Sequence, residues 1–116
     1  MPLKHYIIYF SGPITGLHPE EADKRFEDAI AKFGTQKALI EYVNTTRFIF
    51  INPLRNKVVQ DRLAKRELSY LEIMDKDLAL VEIADEVVML EGWEKSPGAT
   101  EEHKLALDLK KKITYL

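Results

Sequence analysis

The sequence contains no cysteine. That excludes disulfides, thiolate nucleophiles and cysteine-ligated zinc, and it fits a cytoplasmic protein, which is the expectation here. Histidine is scarce: His5, His18 and His103 are scattered, without H-E-x-x-H or comparable spacing. No metal site and no cofactor are therefore expected. Charge of one sign is also missing, since 17 Lys and Arg against 19 Asp and Glu give a net charge of -2. Such a balance gives no electrostatic basis for binding a nucleic-acid polymer or a membrane surface. The only basic run, Lys110-Lys111-Lys112, falls where a last helical turn is expected and complements its dipole. No apolar run approaches the ~20 residues that span a bilayer. The opening MPLKHYIIYF has too short an apolar stretch for a signal peptide and leads straight into a strand. With no repeat, low-complexity tract or linker, the 116 residues are expected to form one domain, 1–116.

What is present alternates. HYIIYF (5–10), RFIFI (47–51), EVVML (86–90) and ITYL (113–116) are short β-branched and aromatic runs that read as strands. Between them lie helical patterns. Pro19 opens one with an apolar face of Ala22, Phe26, Ala29, Ile30 and Phe33, and Gly34 reads as its stop. Thr35 reads as the cap of a second short helix through Val43. A long helix is expected over 66–83, with Tyr70, Leu71, Met74, Leu78 and Val81 on one face, and the last follows Gly98. Residues 54–65 fit no element. The alternation argues an α/β domain with a mostly parallel sheet of four to five strands. In such sheets ligands bind beyond the carboxyl ends of the strands. That directs attention to Ser11–Gly16, Asn52–Arg55 and Glu91–Gly98.

The loop Ser11, Gly12, Pro13, Ile14, Thr15, Gly16 has glycines that let a backbone approach a ligand, yet it is neither a Rossmann fingerprint nor a Walker A loop. Taken alone, the loop is better explained as an ordinary turn. Ser96 before Pro97 is a natural N-cap and N1 pair; it also stands where a ligand would be met, as do Gly98 and Asn52. Trp93 offers a face for a base, or simple packing. Asp77 lies at the margin of the apolar face of the long helix, with Asp75 on the other margin. Glu102 is harder to explain by structure alone. At about 100° per residue, Leu105, Leu109, Glu102, Ala106 and Ala99 fall within roughly 120°, with Glu102 in the middle and Glu101 on the solvent side. A carboxylate in a buried stripe must be paired, protonated or functional. A structural partner such as Arg55 or Lys57 is the competing explanation.

Three stretches, YFSGPITG (9–16), MDKDLALVEIADEVVML (74–90) and GWEKSPGATEEHKLA (92–106), resemble the nucleoside 2-deoxyribosyltransferase-like superfamily, in particular its small bacterial and phage branch. The resemblance implies a flavodoxin-like three-layer fold and attack on an N-glycosidic bond. By position it puts the nucleophile on Glu102, the proton donor or base-orienting aspartate on Asp77, the supporting tyrosine on Tyr9 and a ligand-binding serine on Ser96. It implies a small-molecule nucleoside or nucleotide as partner, and a homodimer, because relatives complete their sites across subunits. Pro13 and Thr15 stand where related nucleotide hydrolases carry a serine and an arginine that hold a 5′-phosphate. The first loop is therefore expected to give a phosphate little help. The alternative is a sensor that binds the same ligands without turnover.

Overall fold

A computed structural model describes residues 4–14, 17–44, 46–55 and 70–116. The elements are β1 (Lys4–Ser11), α1 (Pro19–Asn44), β2 (Thr46–Ile51), a 3-10 turn at Pro53–Arg55, α2 (Tyr70–Ile83), β3 (Glu86–Met89), a 3-10 turn at Trp93–Lys95, α3 (Pro97–Asp108) and β4 (Lys112–Tyr115). The strands form one parallel sheet in the order β2-β1-β3-β4. This is a flavodoxin-like arrangement.

Both faces of the central strands are covered, which is why β1 and β3 read as nearly continuous apolar runs. On one face Ile8, Phe10, Val88 and Leu90 meet Phe26, Ala29 and Phe33 of α1. On the other, Tyr9, Val87 and Met89 meet Val81 and Ala84 at the end of α2 and Ala99 and Ala106 of α3. The connection that leaves β1 covers one face through α1, and the one that leaves the neighbouring β3 covers the other through α3. The crevice this creates at the carboxyl ends of β1 and β3 is where such folds hold ligands.

Two local expectations fail, each for a tertiary or capping reason. Gly34 does not stop a helix, because α1 runs unbroken through it to Asn44. The helix tolerates glycine, at a cost of about 1 kcal/mol relative to alanine, where Phe50 of β2 approaches: a Cβ there would lie 3.6 Å from its ring. Thr35 is no cap; its Oγ1 donates back to the Ala31 carbonyl at 2.9 Å. At the other end of the chain, Lys110 to Lys112 lie beyond α3 rather than in its last turn. Lys110 takes a left-handed conformation (φ 56°). Lys111 N–H then bonds the Ala106 carbonyl and Lys110 N–H the Leu107 carbonyl, a Schellman closure. Leu109 thereby leaves the apolar stripe and is exposed. The side chains of Tyr70, Leu71, Met74 and Asp75, and all of residues 15, 16 and 56–69, lie outside the described residues.

Gly12 sits where β1 and β3 converge. Its added Cβ would fall 2.8 Å from Leu90 Cβ, and Leu90 N–H bonds the Ser11 carbonyl at 2.8 Å. Neither backbone has room to yield. Gly12→Ala is expected to destabilise the fold by roughly 1–3 kcal/mol through overpacking. Urea denaturation checks this, and an unchanged midpoint would show that the strand ends can separate freely.

Candidate active site

Glu102 is built inward by α3. Ser96 caps the helix, accepting from Ala99 N–H at 3.3 Å, and Pro97 follows at its first position. With that start, Ala99, Glu102 and Ala106 share the buried face, and Glu101 is exposed. Only 4% of Glu102 is exposed. Across from it, Tyr9 and Ser11 point to the same face of β1, since they are two residues apart in a strand. Tyr9 Oη donates to Glu102 Oε2 at 2.6 Å, and Ser11 Oγ donates to Oε1 at 2.9 Å. The first distance is that of a charge-assisted O–H···O⁻ bond. Among the described residues no cation bonds Glu102. Arg55, the structural partner considered above, is engaged elsewhere, with Asp23 and Glu27.

Asp77 approaches from α2. It is 3% exposed, and its Oδ1 is buried with no hydrogen-bond partner among the described residues. Burial pushes its carboxyl up to about 7. Burial likewise pushes Glu102 up to about 8; the negative field of Asp77 adds to this, while the bonds from Tyr9 and Ser11 oppose it. Tyr9 is raised well above its usual value, first by burial and then by Glu102, so it stays a neutral donor. Two carboxyls that repel one another in a dry site hold one proton between them near neutrality. Taken singly, the two values would leave that proton on Glu102. The arrangement with Glu102 ionised, both of its oxygens accepting hydrogen bonds, and Asp77 protonated is the one that sets an anion beside an acid. An anion poised next to an acid can attack an electrophilic carbon and protonate its leaving group.

The other sequence candidates divide. Pro13 and Ser96 border a cleft of about 810 Å³, with Gly92 and Pro97 nearby and Arg25 of α1 and Lys95 at the rim. That volume suits a small ligand. Tyr9, Asp77 and Glu102 are not in its lining. Ile14 packs against the core beneath α1. Asn52 is committed: its Nδ2 donates to Asp23 and Glu27, each at 3.1 Å, and its Oδ1 accepts from Leu54 N–H. It ties the end of β2 to α1. Trp93 lies over the His103 ring at 4.2 Å, and His103 Nε2 meets Tyr115 Oη at 2.7 Å. Gly98 is half-buried in the first turn of α3, and Gly16 lies outside the described residues. Among the described residues no cluster of three potential metal ligands occurs, and no helix is long and apolar enough to cross a membrane. Reading by motif missed two features. Ser11 faces Glu102, which the two-residue strand period signals. Arg25 and Lys95 meet at one cleft, for which no local pattern exists.

Residues 6–115 match the family described as Domain of unknown function (DUF4406), and the chain belongs to that family. No curated protein matches it. Among solved structures it is similar to a 2-desoxiribosyltransferase from Leishmania mexicana, with a TM-score of 0.53 and 16% identity. That match covers 96% of this chain and 63% of the other. At such identity the likeness shows a shared fold, in agreement with the strand order.

Proposed function

We propose that this protein cleaves or exchanges the N-glycosidic bond of a (deoxy)nucleoside or nucleotide, with Glu102 as nucleophile. The observation that carries this reading is the buried Glu102 carboxylate, clamped by Tyr9 and Ser11 beside the buried Asp77. A Glu102 oxygen bonds to C1′ as the C1′–N bond breaks. The electron pair of that bond goes to the base nitrogen, which takes the proton from Asp77. The developing oxocarbenium charge is stabilised by the adjacent anion, as in retaining glycosidases. Water then displaces Glu102 from C1′, giving its proton to Asp77; in a transferase a second base does so. Ser96 and the cleft beside it would receive the rest of the ligand. The fold shared with the 2-desoxiribosyltransferase supports the assignment, as does the resemblance of the GWEKSPGATEE stretch to the superfamily's signature. Incubation with a panel of nucleosides and 5′-nucleotides, followed by chromatography, is expected to reveal free base. No release from any member would count against it.

One observation favours a second reading, a binding module without turnover. The large cleft is bordered by Pro13 and Ser96 but not by the carboxylate pair. Such a module would bind members of the panel without releasing base. In either case we propose a homodimer, because a four-stranded domain has a limited core and closed two-fold pairing is the commonest solution. Light scattering at micromolar concentration is expected to return twice the 13.4 kDa chain mass; a monomer would refute this.

A further inference from the structure

We propose that Ser11 is a positioning residue: with Tyr9 it clamps both oxygens of the Glu102 carboxylate and so fixes the plane in which that group is presented. The consequence for catalysis rests on the reading of Glu102 as nucleophile, but the clamp itself does not.

The terminal torsion of a glutamate is broad and roughly two-fold, so a carboxylate held at one oxygen can still swing. Tyr9 alone holds one oxygen, Oε2. The bond from Ser11 Oγ to Oε1 removes the remaining freedom. The anchor is rigid. Ser11 pairs with Met89 in the β1–β3 ladder, its carbonyl accepts from Leu90 N–H, and its exposure is zero. The commitment of its hydroxyl to Glu102 argues against Ser11 as a contact for an incoming ligand, the role its loop position first suggests. The groups facing Glu102 are Tyr9 and Ser11 from β1 and Asp77 from α2. Burial and Asp77 both oppose ionisation, so each donor on β1 counts. Alternate residues of one strand thus supply two donors to one carboxylate.

The test is Ser11→Ala, with Ser11→Cys as a near-isosteric variant carrying a weaker donor. Glu102 titration is followed by infrared difference spectroscopy of the carboxyl band, with Glu102→Gln identifying the band and no ligand added. Ser11→Ala is expected to move the midpoint upward by about one unit, a tenfold change in ionisation, and Ser11→Cys by less. In base release, kcat at neutral pH should fall about tenfold, its acidic limb should move up by the same shift, and KM should hold within twofold. An unmoved midpoint in both variants would overturn the proposal. So would a raised KM with an unmoved pH profile, the signature of a ligand contact. If the midpoint moves while even the wild-type protein releases no base, the clamp stands and the nucleophile assignment fails.

Discussion

Glu102→Gln should abolish base release by several orders of magnitude while leaving ligand binding nearly intact. The amide keeps the size of the side chain and can still bond Tyr9 and Ser11, but it cannot form the glycosyl bond. Glu101→Gln should change little, because that side chain is exposed. The two substitutions differ by one residue and about 100° of helix, so they test the helical phase and the chemistry together. Equal turnover by the Glu102→Gln and wild-type proteins would end the enzyme reading.

Stability gives a second readout with a defined sign. The folded-state Glu102 carboxyl is raised, chiefly by burial, to about 8, against roughly 4.3 in an unfolded chain. The fold therefore prefers the protonated form. The cost to stability is absent below about pH 4.3, grows as pH rises and is complete above the folded value. Glu102→Gln removes that cost, so its melting temperature should exceed the wild type's most at alkaline pH and converge with it near pH 4. In a domain of this size each kcal/mol recovered is worth roughly 4 °C. A buried salt bridge would give the opposite result, since breaking one costs about 3–5 kcal/mol.

The sheet and the phase of Glu102 were legible in the sequence. The apolar runs of β1 and β3 read as central strands because such parallel strands are buried on both faces. The inward phase of Glu102 follows from Ser96-Pro97 setting the start of α3. What was not legible shares a cause: distant residues override a local signal. Gly34 looks like a helix stop until Phe50 packs beside it. Asn52 looks like a ligand contact at a strand end until Asp23 and Glu27 of α1 occupy its amide. Arg25 and Lys95 are 70 positions apart and line one cleft, with Asp28 and Glu91, only through the fold. Ser11 is different. Its alternation with Tyr9 placed it on the correct face, but a glycine-containing loop invites a ligand-binding explanation, and only the distance to Glu102 reassigns it.

Asp77→Asn should slow base release by about 10²–10⁴-fold, the usual contribution of a general acid. The loss should depend on the leaving group. A purine nucleoside methylated at N7 already carries positive charge and needs no proton to depart, so the variant should turn it over at a rate close to wild type. The pH profile should change on its alkaline side. In the wild type Asp77 must be protonated, and burial raises it to about 7, so the rate should fall as pH rises through neutrality; in Asp77→Asn that limb should vanish. On the acidic side Asp77 is protonated and carries no charge to repel Glu102, as the asparagine carries none, so the limb set by Glu102 ionisation should stay in place. Asparagine matches the protonated acid in size and in lack of charge, so folding should be little affected. If the variant loses the methylated and the ordinary substrate alike, Asp77 orients the ligand and the leaving base takes its proton from another group.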